Sequence, residues 1–200
     1  MNNTNQYVKK WLSEVSHHED EMFTLSNITI QANNEVFLPK FSFSTQIIVE
    51  HISNNIAGKK VLDMGTGSGI LAFIAEQKGA KVLAVDNDMN AIKNAKQNRI
   101  KIKSNIEIKH SDLFSEVSGK YDLILANLPI LYTDKNQNIV ASFIKNVKQH
   151  VNKNGKILLS HGSFGDFTSI ERLLEDCTLK YETFSKIKHE VEWRLYSISL

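Results

Sequence analysis

Three glycines alternate with small polar residues in Gly65-Thr66-Gly67-Ser68-Gly69, directly after the apolar run Val61-Leu62-Asp63-Met64 and before Ile70-Leu71-Ala72. Glycine adopts backbone angles closed to other residues, and its bare main chain lets N–H groups approach a ligand closely. A strand, such a turn and then a helix make a cradle out of backbone, suited to a nucleoside. The spacing is Gly-x-Gly-x-Gly. The dinucleotide fingerprint would put its third glycine where Ile70 stands, although the acidic residue expected about twenty positions downstream is present as Asp86. A nicotinamide dinucleotide is therefore the second reading of the loop. Other polar groups also follow apolar runs: Asp86-Asn87 after Val82–Val85, Asp112-Leu113 after the third such run, and Asn127-Leu128-Pro129-Ile130 after Tyr121–Ala126.

These residues need a frame that brings the ends of several strands together. From Val61 onward short β-branched runs alternate with helical periods, the pattern of a parallel sheet covered by helices on both faces. Strands are expected over Lys60–Met64, Lys81–Val85, Ile106–Lys109, Asp122–Ala126 and Lys156–Ser160. Helices are expected over Gly69–Gln77, Asn90–Ile100, Gln137–Val151 and Phe167–Asp176. Lys180–His189 and Glu192–Ser199 read as two strands with only a short link, an antiparallel hairpin that removes one open edge of the sheet. The fold class is thus α/β, a doubly wound, mostly parallel seven-stranded sheet with a C-terminal antiparallel hairpin.

Residues 1–40 read as an N-terminal extension packed on the core, and 41–200 as the main domain. Within the extension a helix is expected over Tyr7–Val15, and Phe23–Ile30 with Glu35–Leu38 read as a hairpin turning at Asn33-Asn34. Phe41–Ile56 reads as a helix leading into the first core strand.

The glycine loop with Asp63 two residues before it resembles the cofactor loop of class I S-adenosylmethionine (SAM) dependent methyltransferases, which have a Rossmann-like fold, and the likeness runs over about Phe37–Leu200. The resemblance implies that SAM is the cofactor. Its carboxylate would meet the helix N-terminus at Gly69, Thr66 and the three glycines would line the loop, and Asp63 would lie near its cationic portion. Asp86 would accept from the ribose hydroxyls with Asn87 beside it, and Asp112 and Leu113 would hold the adenine by side chain and backbone N–H. Thr45, after Val36-Phe37-Leu38-Pro39 and Phe41-Ser42-Phe43, falls in the segment that contacts the methionine end.

Asn127-Leu128-Pro129-Ile130 is similar to the Asn-Pro-Pro-Tyr type motif of enzymes that methylate nitrogen in planar groups. This places the chain near the methyltransferase small-domain group, with its glutamine N5 and base N-methyltransferases. In that role the Asn127 side-chain oxygen and the Leu128 carbonyl accept the hydrogens of the acceptor nitrogen, and Pro129 fixes the backbone. Asn127 also adjoins the cofactor. The fourth position departs from the pattern, since Ile130 replaces the ring that stacks on a planar acceptor. Tyr132, Phe41 or Phe43 would supply the ring instead, or the acceptor is not planar. The substrate side is therefore read as Phe43, Ile130 and Tyr132.

A protein glutamine is the first acceptor expected, an RNA base the second and a small molecule the third. A catalytically silent SAM-binding subunit is the rival from another class. The 200 residues carry a net charge of +2, and the only arginines are Arg99, Arg172 and Arg194, so forked recognition of phosphate has few candidates. Lys93, Lys96, Arg99 and Lys103 make the most basic neighbourhood, the place for RNA if RNA binds. Cys177 is the single cysteine, which excludes an intrachain disulfide. No apolar run approaches a bilayer span and the N-terminus lacks a signal-peptide core, so a cytoplasmic protein without a membrane partner is expected. His17-His18-Glu19-Asp20-Glu21 completes no metal set, and the scattered histidines have no Ser or Cys at triad spacing, so neither a metal nor a hydrolase is expected.

Overall fold

The computed structural model describes residues 10, 13–14, 18–39, 43–129, 134–188 and 190–200. The expected helix over 7–15 lies largely outside them, as do Phe41, Ile130, Tyr132 and His189. The described chain runs β1 (Glu21–Leu25), β2 (Ile28–Ala32), α1 (Phe43–His51), β3 (Lys60–Met64), α2 (Ile70–Gln77), β4 (Lys81–Asp86), α3 (Met89–Lys101), β5 (Glu107–His110), β6 (Tyr121–Ala126), α4 (Asp134–Val147), β7 (Val151–Gly162), α5 (Phe167–Asp176), β8 (Lys180–Lys188) and β9 (Val191–Ser199).

Seven strands form one sheet in the order β5-β4-β3-β6-β7-β9-β8, and β1 pairs with β2 separately. Strands β3 to β7 are parallel, while β9 runs antiparallel to β7 and β8 to β9. The doubly wound sheet with its antiparallel hairpin is the one expected from the sequence. Its central strands are apolar in succession because both faces are covered. Val61, Ala84 and Leu125 pack under α2, α3 and the β1–β2 hairpin, whereas Leu62, Ile124 and Leu159 pack with Phe143 of α4 and Leu174 of α5. After β5 the chain returns to place β6 beside β3, so the winding reverses between those two strands. In open α/β sheets the crevice at the carboxyl ends of such a pair is where ligands bind. The glycine turn follows β3 and Asn127 follows β6, one on each side of that point.

The helices start where local chemistry supplies a partner for their first N–H groups. Asp88 accepts from Asn90 N ahead of α3, and Asp166 accepts from Ser169 N ahead of α5. The latter helix has the bounds expected of it. Helix α4 instead ends at Val147, because residues 148–150 form a turn, closed by Gln149 N–H on Asn146 O and His150 N–H on Val147 O, that leads into β7, whose Val151 pairs with Tyr121. A register shift between Tyr121 and Leu123 absorbs the residues by which β7 begins ahead of Lys156, and pairing with β9 extends it past Ser160 to Gly162. The first hairpin also differs from expectation. It turns at Ser26-Asn27, whose φ values of 50° and 64° are both positive, as a tight two-residue link between twisted strands requires. Asn33-Asn34 starts a later turn, closed by Val36 N–H on Asn33 O at 2.9 Å.

The extension and the core share one apolar cluster, since Phe23, Ile28 and Ile30 are buried with Ile47, Ile74 and Ile92. Polar pairing reinforces this contact. Asn98 of α3, fully buried, accepts from Gln31 N–H at 3.0 Å and donates to Gln31 O at 2.7 Å and to Ser68 O at 3.0 Å. Asn94, one helical turn earlier, donates to Gln31 O and accepts from Asn33 N–H. Two helix side chains thereby take the place of a neighbouring strand for β2, and one of them also grips the glycine turn. No described helix is long and apolar enough to cross a membrane.

Candidate active site

The glycine turn is tight. Gly65, Gly67 and Gly69 have φ of 73°, 55° and 92°, so each sits in the left-handed region where a side chain is strained. Gly65 is also a point of close approach, because a Cβ there would stand 3.2 Å from Leu128 Cδ2 and 3.8 Å from Asn127 O. The turn therefore lies against the backbone of the acceptor motif. Gly65 N–H and Thr66 N–H both donate to Val85 O, tying the turn to the end of β4.

Asp63 is buried at the end of β3. One of its oxygens accepts from Thr66 Oγ1 at 2.6 Å and from Ala72 N–H at 3.1 Å, which fixes the turn and the first turn of α2. The other oxygen has no hydrogen-bond partner among the described residues, and neither has the buried hydroxyl of Ser68. Loss of water drives the Asp63 carboxyl up to about 7, against the opposing pull of its two donors. Asp86 is displaced the same way, by burial first, although Asp88 N–H and Gly67 N–H each donate to it at 2.9 Å. The neighbouring Asn87 offers its carbonyl to His110 Nε2, and Ser111 N–H donates to Asp86 O, bringing Asp112 up beside Asp86. Leu113 has a φ of 47°, a costly conformation for a residue with a side chain. Asp112 and Leu113 form one wall of an open groove of about 450 Å³, faced by Ile139, Asn146 and His150.

Asn127 is held at both ends. Its Nδ2 donates to Thr45 Oγ1 at 3.0 Å, and its Oδ1 accepts from Ser160 Oγ at 3.1 Å. Thr45, expected at the cofactor, is bonded to the side-chain amide of Asn127. Phe43, two residues earlier, lies 6.3 Å from Trp193 between ring centroids, with Lys188 Nζ 4.1 Å over its face. His161 is almost fully buried, is kept below its ordinary range by burial, and packs edge-on to Phe167. Sequence reasoning overlooked Ser160, Asn94 and Asn98. Ser160 carried a usable signal, as the last residue of the expected fifth strand.

A matching family model spans residues 27–189 and is that of the methyltransferase small domain. The chain belongs to that family. Among curated relatives of this methyltransferase small-domain protein, ribosomal protein L11 methyltransferase of Thermosipho africanus is 40% identical over 104 residues, covering 52% of this chain and 37% of the relative. Ribosomal RNA small subunit methyltransferase C of Haemophilus influenzae is 29% identical over 153 residues, covering 74% and 46%. The chain therefore spans less than half the length of either. Among solved structures, the ribosomal protein L11 methylase of Lactobacillus delbrueckii subsp. bulgaricus superposes with a TM-score of 0.64 at 26% identity, over 78% of this chain and 76% of that one. The T. thermophilus 16S rRNA N2 G1207 methyltransferase, in complex with AdoMet and guanosine, gives 0.71 at 18% identity over 90% and 50%, a likeness of fold.

SAM is the cofactor of this family, and the site suits it. The turn retains one acceptor at Asp63 and one donor at Ser68 without partners among the described residues, which suits the ammonium and carboxylate of the methionine tail. Asp86 keeps lone pairs for the ribose hydroxyls beyond the two N–H groups it already accepts.

Proposed function

We propose that this chain transfers the methyl group of SAM to the nitrogen of a planar NH2 group, an amide or an exocyclic amine. The observation that carries the reading is the contact of the acceptor motif with the glycine turn: Leu128 and the Asn127 carbonyl lie against Gly65 where β3 and β6 end. The nitrogen of a planar group is a weak nucleophile while its lone pair is delocalised. Asn127 Oδ1 and the Leu128 carbonyl, both acceptors, take its two hydrogens and turn the lone pair toward the cofactor. Pro129 has no N–H to compete for those acceptors. When bound, SAM supplies an electrophilic methyl carbon on sulfur. The protein contributes in-line placement, which is where most of the rate arises in such a reaction.

A protein side-chain amide is the first acceptor. The small net charge and three arginines fit it better than a polyanion, and a 40% identical relative is named for ribosomal protein L11. One observation favours an RNA base instead: the Phe43 ring under the Lys188 ammonium, two residues from Thr45, offers a face and a charge that a nucleotide would use. Incubation of the protein with methyl-labelled SAM and a cell extract, followed by separate protease and nuclease digestion, decides between them. Label lost from large material under protease alone supports the protein acceptor, and loss under nuclease alone overturns it. Asn127→Ala is expected to lower incorporation by roughly 100-fold, far more than it lowers SAM affinity. Undiminished incorporation by that variant would sink the assignment of the acceptor motif.

A further inference from the structure

The carboxyl end of β6 meets a hydroxyl carried by β7. Ala126 is in register with Leu159, so the next residues, Asn127 and Ser160, lie side by side beyond the last ladder pair. Ser160 is 1% exposed, and its Oγ donates to Asn127 Oδ1 at 3.1 Å. At the far end of the same amide, Nδ2 donates to Thr45 Oγ1 at 3.0 Å, and Thr45 is equally buried. We propose that Ser160 is a positioning residue for methyl transfer, acting through Asn127. The proposal rests on the acceptor-motif reading given above.

The physical need is specific. The terminal torsion of asparagine is broad and roughly two-fold, so an untethered amide samples a wide arc and can exchange its oxygen for its nitrogen by a half-turn. Exchange would present a donor where the acceptor's own N–H must be received. One hydroxyl from α1 and one from β7, on opposite ends of the amide, hold its plane and narrow that arc, and Ser160, by donating, keeps Oδ1 as the acceptor on its side. With the Ser160 proton on one lone pair, Oδ1 keeps the other for the incoming nitrogen. The second N–H of the acceptor then belongs to the Leu128 carbonyl, a geometry met by an NH2 group and by no tertiary amine. Ser160 itself touches neither cofactor nor acceptor in this scheme.

The test compares Ser160→Ala, Ser160→Thr and Asn127→Ala, singly and with Ser160→Ala combined with Asn127→Ala. Incorporation of labelled methyl into cell extract is read at saturating SAM, and the affinity for SAM itself by calorimetry. Ser160→Ala is expected to lower the rate roughly 10- to 100-fold, with SAM affinity unchanged within twofold. Ser160→Thr, which keeps the hydroxyl, should recover part of it, and Ser160→Ala should add nothing in the Asn127→Ala background. Equal losses in both backgrounds, or a parallel loss of SAM affinity, would overturn the proposal. A second readout is independent of any acceptor. In 15N-labelled protein the Asn127 side-chain NH2, assigned by its absence from Asn127→Ala, should exchange slowly with solvent, and faster in Ser160→Ala. If wild-type protein binds SAM but labels nothing, the acceptor reading fails while this exchange still judges the clamp; no change in exchange overturns it.

Discussion

A carboxyl group with donors on only one of its oxygens, shut away from water, is held against its own charge. Asp63 is in that position, and its behaviour with pH runs opposite to that of a salt-bridged aspartate. Its folded pKa, about 7, lies above the 3.8 of the free side chain, so between those values the folded state keeps a proton that the unfolded state has released. Stability from this group is complete at low pH and is lost as pH rises through the window, by a few kcal/mol in all. Urea unfolding of wild type and Asp63→Asn from pH 5 to 8 should therefore diverge, the variant gaining on the wild type as pH increases. Parallel curves would show that the carboxyl is not buried as described. Gly65→Ala is a second test at this scale. It should cost about 1 kcal/mol from the positive φ and, by pressing on Leu128, weaken methyl transfer more than SAM binding. Both positions were singled out in the sequence because Asp63 and the glycine run together resemble a known cofactor loop. What was not legible is where Asp63 points, since its bonds to Thr66 and Ala72 come from a turn that only the folded backbone defines.

Elements formed from strong local signals matched expectation, and those settled by competition did not. Helix α5 has the expected bounds because Asp166 caps it and its apolar positions face one side. The N-terminal hairpin was misplaced because Asn33-Asn34 and Ser26-Asn27 are both acceptable turn sequences. The contest is decided by Asn94 and Asn98, which recognise Gln31 and Asn33 and so require β2 to end beside α3. Two asparagines in a helix read as solvent-facing by composition, and nothing short of the packing shows them buried. Asn98→Leu removes the side-chain partner of Gln31 N–H and of Ser68 O and one of the two partners of Gln31 O, which Asn94 still reaches. Stability should fall by about 2–4 kcal/mol, and the Gln31 amide should exchange its hydrogen faster. A loss under about 1 kcal/mol by denaturant titration would mean that water or other groups replace the asparagine.

Across the whole molecule the sheet order was legible because alternating strand and helix periods leave few arrangements, and the reversal between β3 and β6 then places the cleft. The acceptor was not legible, since Ile130 stands where the motif's stacking ring is expected and Phe43 alone does not name the group it would face. Cofactor binding is a property of the entire fold and should appear as such in thermal unfolding. SAM at a hundred times its dissociation constant adds about 2.7 kcal/mol, a rise in Tm of roughly 5–10 °C for a chain of this size. NAD should give none, and a shift with NAD in place of SAM would restore the dinucleotide reading. The grip of Asn98 on Gln31 and Ser68 has a practical corollary for anyone trimming this protein. A cut at residue 40 would strip Asn98 of one of its two anchors, and the cofactor turn would inherit the slack.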